Sequence, residues 1–154
     1  MSILCPSARC QDGAILLGIV LADGSVAFAQ DRIAVDEAFV RNATTEGSRS
    51  PESRFRFSSP CAKGGCHQWT GSRCGVIDSV VEETREQHYQ PRADAPLPDC
   101  SIRSDCRWFV QRGGEACAVC DLVVTETRVP LLASQSSGPD TEGASEFATS
   151  PTAK

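Results

Sequence analysis

Nine cysteines in a chain of 154 residues, seven of them at positions 61–120, limit what this protein can fold into. Cys61, Cys66 and Cys74 lie in PCAKGGCHQWTGSRC. Cys100, Cys106, Cys117 and Cys120 lie in CSIRSDCRWFVQRGGEACAVC. Cys5 and Cys10 stand apart near the N-terminus. Thiols this dense are tied to each other or to metal, and an odd total does not close into a disulfide framework. The apolar run at residues 14–22 directly follows Asp12-Gly13, has no Lys upstream, and is too short to span a bilayer. The expectation is a soluble, cytoplasmic protein. In a reducing cytosol clustered cysteines are metal ligands or catalytic thiols rather than disulfides.

Composition narrows the class further. Hydrophobic residues at 40% suit a globular domain, whereas aromatics at 6% suit a small core that gains from bound metal. A net charge of −5 argues against nucleic acid and against an anionic membrane surface as partners. A protein redox partner is expected instead.

The chain reads as an α+β fold, a small metal- or cluster-stabilised domain over residues 1–129. It should have an N-terminal β-hairpin, two or three short helices and cysteine-bearing loops. Residues 1–12 form a polar lead. A hairpin follows over 13–30, with Asp23-Gly24 as a type I′ turn signal. A helix is expected over 31–43, capped by Asp31 or starting later at Asp36-Glu37, with Ile33, Phe39 and Val40 inward. Phe55-Arg56-Phe57 is a short alternating strand. Gly64-Gly65 offers left-handed backbone beside Cys66. Residues 74–87 predict a helix with Val76, Ile77, Val80, Val81 and Thr84 on the buried face. Asp78, Glu82, Glu83 and Glu86 lie on its other face, and Cys74 falls in its first turn, where the helix dipole favours a thiolate. Residues 88–99 are a stiff, Pro-rich connector. Ser104-Asp105 should cap a short helix carrying Cys106, Trp108 and Phe109, closed by Gly113-Gly114. Residues 119–124 read as a strand. The segment 130–154, rich in Ser, Thr, Gly and Pro, reads as a disordered tail.

The cysteine spacing suggests two sites of four. Cys100, Cys106, Cys117 and Cys120 make one set. Cys61, Cys66 and Cys74 need a fourth ligand, which Cys5 or Cys10 could provide, and Cys5 is favoured because Cys5-Pro6 is like the Cys-Pro found at iron–sulfur sites. Cys10 is left over. Tetrahedral zinc and a [4Fe–4S] cluster both accept four thiolates. Zinc sites favour two tight knuckles, and only Cys117-x-x-Cys120 is of that kind. The irregular spacing therefore points to one or two [4Fe–4S] clusters and electron transfer, with a zinc-binding interaction module as the alternative. In that alternative the acidic helix and the Arg-bearing segment 103–112 would be partner surfaces. A thiol redox pair at Cys117 and Cys120 is a third reading, but no thioredoxin-like βαβ pattern surrounds it. Arg103, Arg107 and Arg112 flank Cys106 and are candidates for stabilising a reduced cluster. Trp69 and Trp108 are candidates for shielding, and His67 adjoins Cys66. No nucleophile elbow, phosphate-binding loop, dinucleotide fingerprint or Cys-x3-Cys-x2-Cys triad is present. A carrier or accessory role is thus expected before a catalytic one.

The segments CPS at residues 5–7, FRFSSPCAKGGCHQWTGSRC, LPDCSIRSDCRWFVQRGGEACAVC and LVVTE carry a resemblance. They look like a family of small cysteine-rich bacterial proteins that carry the label "nitrogen fixation protein". The most specific part is Cys-x-Ile-Arg-x-x-Cys-Arg-Trp-Phe at residues 100–109. The resemblance covers roughly residues 55–126 plus the N-terminal Cys-Pro-Ser. It picks out Cys5, Cys61, Cys66, Cys74, Cys100, Cys106, Cys117 and Cys120, and it omits Cys10. It implies an iron–sulfur protein associated with nitrogen fixation and names no reaction. Asp121 follows the last cysteine where a ferredoxin-type motif has Pro.

Overall fold

Four short segments build an antiparallel sheet. A computed structural model describes residues 2–45, 49–90 and 96–125 of the chain. Strand β1 is Leu4–Ala8, β2 is Ile15–Val20, β3 is Val26–Ala34 and β4 is Phe55–Pro60. They form one four-stranded sheet in the order β1-β4-β2-β3. The fold is α+β, as expected.

The hairpin β2–β3 forms, but its turn differs from the expectation. A type I′ turn needs positive φ at both central residues, and Asp23 is not among the positive-φ residues. Instead the Gly24 N–H donates to Leu21 O at 3.0 Å, and Gly24 alone takes φ +86°. That is a wider turn in which Asp23 accepts from the Ser25 N–H and hydroxyl at 2.9 and 2.6 Å.

Two other expectations fail for local reasons, and a third resolves to one of its alternatives. The lead 1–12 contains a strand: Cys5 pairs with Ser59 and Ala8 with Phe57, with an irregularity between them that accommodates Pro6. Pro is tolerated there because the strand is at the edge and bulged. Of the two starts expected for the helix over 31–43, the later one at Asp36-Glu37 is found, because β3 runs through Ala34. The helix α1 is Glu37–Thr45, and Asp36 Oδ1 accepts from the Phe39 N–H at 2.7 Å, the cap that Asp31 does not supply. Ile33 is consequently a strand residue and half exposed. The expected strand over 119–124 is also absent. Val119 ends a helix and Cys120–Leu122 is a single 3-10 turn.

The long helix α2 is Gly75–Glu86, with Cys74 as its N-cap. Ile77 and Val81 are buried as the periodicity requires. The second cysteine segment folds as a 3-10 turn Arg103–Asp105, helix α3 at Arg107–Arg112 and helix α4 at Gly114–Val119. Gly113, at φ 61° and ψ −141°, breaks α3 from α4 in a conformation that only Gly adopts freely. Ser104-Asp105 does not cap α3, whose N-cap is Cys106. Asp105 is buried and pairs with Arg32 of β3 at 2.5 Å instead.

Helices cover both faces of the sheet. Phe39 and Val40 of α1 pack on Ala14, Val35 and Phe57, and Phe39 meets the rings of Phe55 and Phe57 edge-on. On the other face Leu4 and Leu17 pack with Ile77, Val81, Ile102, Trp108, Ala116 and Val119 of the α2–α4 layer. Strand alternation decides the rest: Phe55 and Phe57 go to α1, so Arg56 goes to the other layer. Part of the acidic side of α2 is engaged within the fold, while Glu83 and Glu86 are exposed. Asp78 and Glu82 are held by Arg112 of α3 at 2.6 and 2.9 Å, Asp78 also by Arg73 at 2.9 Å, and Arg85 pairs with Glu115 of α4. The expected tail 130–154 and residues 91–95 of the connector lie outside the described residues.

Candidate metal centre

All nine cysteines are described, and all are free thiols. The fold sorts eight of them into two sets. Cys5 on β1 has Cys61, Cys74 and Cys66 as its cysteine neighbours. Cys61 directly follows β4 and its N–H donates to Ile3 O at 2.9 Å, so sheet pairing carries it towards Cys5. Cys66 ends the 3-10 turn Lys63–Gly65. The positive φ expected at Gly64-Gly65 falls on Lys63 at 47°. A tight hairpin with Gly71 at its turn (φ 100°) pairs Trp69 with Cys74 and returns the chain to the start of α2. Cys74 is fixed at both backbone groups by Gln111 of α3: its N–H donates to Oε1 and its O accepts from Nε2, each at 2.9 Å.

The second set is Cys100, Cys106, Cys117 and Cys120. Cys120 has Cys106, Cys100 and Cys117 as cysteine neighbours. All four line one cleft of about 400 Å³, open mouth included, together with Pro6, Phe28, Arg103, Trp108 and Phe109. Leu4 of β1 bridges to Cys106, so the edge strand that bears Cys5 also forms part of this wall.

Burial dominates the acidity of these thiols. It pushes Cys5 and Cys106 up to about 11 and Cys120 up to about 12, with smaller rises from the neighbouring thiolates. Opposing groups are aimed at the sulfurs. The Ser7 backbone N–H favours the Cys5 thiolate, and the Phe109 and Trp108 N–H groups favour that of Cys106. Arg103 offsets part of the rise at Cys117, and Arg56 part of that at Cys120. Amide and guanidinium donors directed at sulfur are what stabilises thiolate ligands and their clusters.

The remaining residues separate into participants and bystanders. Cys10 stands with Glu52 and Arg54, away from both sets, and its N–H donates to Glu52 Oε1 at 2.8 Å. Of the three flanking arginines, Arg103 lines the cleft and Arg107 lies over the Trp69 ring at 5.0 Å. Arg112 is committed to Asp78 and Glu82. Trp108 is buried in the cleft wall, whereas Trp69 is half-buried beneath Arg107. His67 is exposed. Sequence reasoning missed Arg56 and Gln111. Nothing in the linear pattern marks Gln111. Arg56 interrupts Phe55 and Phe57 in a pattern that ordinarily sends its polar residue to solvent.

The donor chemistry fits a thiolate-bound group, with four cysteines per set and no carboxylate among them. Among the described residues no three His, Cys, Asp or Glu side chains stand close enough to hold one metal ion. Buried donors without a partner also surround the cysteine sets: Arg103 Nε, Trp108 Nε1 and Arg56 Nη1. Among the described residues no helix is long and apolar enough to cross a membrane. No protein-family model, no curated protein and no solved structure matches this chain.

Proposed function

We propose that this chain is an iron–sulfur protein that binds up to two [4Fe–4S] clusters and serves electron transfer or an accessory redox role for a larger enzyme. Cys5, Cys61, Cys66 and Cys74 would hold one cluster, and Cys100, Cys106, Cys117 and Cys120 the other. The carrying observation is that Cys100, Cys106, Cys117 and Cys120 line one cleft, while Cys61, Cys66 and Cys74 are the cysteines near Cys5. When bound, such clusters supply one-electron chemistry. The chain's own residues would supply the ligands, the N–H and guanidinium groups that stabilise sulfur charge, and the apolar wall of Trp108, Phe109 and Phe28 that excludes water. A link to nitrogen fixation rests on the sequence resemblance alone.

The test is iron, zinc and acid-labile sulfide per chain after anaerobic purification, with a visible spectrum. About eight iron and eight sulfide are expected for two cubes. Zinc without sulfide would replace this reading with that of a metal-stabilised interaction module, and a metal-free protein would remove both.

A further inference from the structure

We infer that helix α3 is a conformational joint between the two cysteine segments, with Gln111 as its grip on Cys74, so that a change in the cleft is felt at the Cys66–Cys74 hairpin. This coupling belongs to the reduced chain itself and is independent of what the cysteines bind. α3 starts at the cleft: Cys106 is its N-cap, the Cys106 carbonyl accepts from the Val110 N–H at 2.9 Å, and Trp108 and Phe109 line the cleft wall. Arg107 and Gln111 stand four residues apart in α3, and so are neighbours on one helix face. Both engage the hairpin. Gln111 Oε1 accepts from the Cys74 N–H, and Gln111 Nε2 donates to the Cys74 carbonyl, each at 2.9 Å. The Arg107 guanidinium lies 5.0 Å over the ring of Trp69, the residue that bridges to Cys74 across the hairpin.

A primary amide carries donor and acceptor in one plane. Bonded to both backbone groups of one residue, it fixes that residue as a neighbouring strand would. The hairpin has few other anchors. Its residues are exposed apart from half-buried Trp69 and Cys74, and no side chain caps α2 at Cys74. Its own backbone bonds, from the Thr70 N–H to Arg73 O at 2.9 Å and from the Gly75 N–H to Gln68 O at 2.7 Å, close it on the start of α2 but do not reach the second cysteine segment. Arg73 of the hairpin pairs with Asp78, which Arg112 of α3 also holds. Each of these ties to the second segment ends on α3. Opening of an exposed loop is governed by such contacts, so it depends on where α3 stands. Coupling of this kind acts in both directions.

The test is hydrogen exchange at single amides, read by nuclear magnetic resonance, on the full-length reduced chain. The wild type, Gln111→Ala, Phe109→Ala and the double variant are compared, with alkylation of Cys74 followed by mass spectrometry. Gln111→Ala should quicken exchange of the Thr70 and Gly75 amides at least about fivefold, the loss expected for hydrogen bonds of ordinary net strength. Alkylation of Cys74 should quicken likewise, while amides of the paired strands β2 and β4 keep their rates. Phe109→Ala alters the cleft side of α3. It should quicken the hairpin when Gln111 is present and have a much smaller effect in the Gln111→Ala background, the non-additivity that coupled residues show. Unmoved hairpin amides in Gln111→Ala, an equal quickening across the sheet, or an effect of Phe109→Ala that is the same in both backgrounds would overturn the coupling. Should Gln111→Ala not fold, Gln111→Glu takes its place. It keeps the acceptor for the Cys74 N–H and loses the donor to the Cys74 carbonyl, and unquickened exchange at Thr70 and Gly75 in that variant overturns the coupling as well.

Discussion

The two cysteine sets are held by different means. The second set is lodged in the core: Cys106 is 7% exposed, and it packs with Ile102, Trp108, Ala116 and Val119. The first is assembled from a sheet edge, a helix N-cap and an exposed loop. Cys66 and most of its neighbours are exposed, and the Cys66 sulfur receives one backbone N–H, from Gln68, at 3.4 Å. Positions of the second set are therefore fixed by the packing that stabilises the whole domain. Those of Cys61 and Cys66 depend on a local loop whose opening costs little of that packing. Packing fixes the second set, whereas under the iron–sulfur reading ligand binding would have to order part of the first.

The sharpest way to break this contrast is at Trp108, 1% exposed and common to the core and the cleft wall. Trp108→Ala should cost about 3–5 kcal/mol, as for other buried aromatics cut to Ala. The measurement is denaturant unfolding, with Cys66→Ser alongside as the contrasting variant. Cys66→Ser, in an exposed loop, should change the midpoint by a small fraction of that. Equal losses in the two variants would mean that the loop is as much a part of the core as the cleft is.

A smaller effect sharpens the comparison in the loaded protein. Iron removal by a chelator should be biphasic, with the faster phase drawn from the exposed first set. Cys66→Ser should abolish the fast phase and lower iron by about half, since each cube holds four. Single-phase release of all iron in the wild type would contradict a difference in access.

A third effect is read against pH in metal-free, reduced protein. Cys5, Cys106 and Cys120 have folded-state values raised above those of free thiols, the last to about 12. An acid whose pKa is raised on folding contributes stability that is fully present below its unfolded value, about 8.5 for a thiol. That contribution is lost as pH rises through the folded value, because the unfolded chain releases its proton first. The melting temperature should hold up to about pH 8.5 and decline above it. Cys120→Ser should flatten the decline relative to the wild type. An unchanged pH profile in that variant would remove the role of thiol burial in it.

The α+β class can be read from the residues, and so can the neighbourhood of most cysteines. Spacing suffices to place Cys100, Cys106, Cys117 and Cys120 together, as they stand along one cleft, because the segment that carries them is short; Cys5 reaches Cys61 only through the β1–β4 pairing, which spacing does not reveal. The hairpin and α2 are legible because their periods are clean. Pro6 disguises β1, since a Pro argues against a strand unless an edge and a bulge are already known. The apolar run Val119-Cys120-Asp121-Leu122-Val123 resembles a strand, but the carbonyls of Cys120 and Val123 are taken up by Arg56, 64 and 67 residues away in the sequence. Such a tertiary contact overrides local propensity and leaves no mark in the segment itself. The same contact hides Arg56, whose neighbours in the chain assign it to solvent.

The smallest effect concerns how the two regions are joined. Arg73 beside Asp78, at 2.9 and 3.1 Å, and Arg112, at 2.6 Å, hold the Asp78 carboxyl well below the usual carboxylate range. Arg112 belongs to α3, which starts from Cys106 of the second set, and Asp78 belongs to α2, which starts from Cys74 of the first. Asp78→Asn should cost about 0.5–1 kcal/mol at neutral pH, since solvent screens a partly exposed network of this kind. A depressed carboxyl contributes stability above its unfolded value, about 3.9, and that contribution is lost as pH falls through the folded value. The difference between wild type and Asp78→Asn should therefore narrow only in strong acid. If the pair acts as a strut between the sets, the variant should also speed the fast phase of iron release while leaving the slow phase unchanged. The second set is held by its own core, whereas the first relies on α2 being held in place. An unchanged fast phase would assign that role to Gln111, which grips Cys74 at both its N–H and its carbonyl.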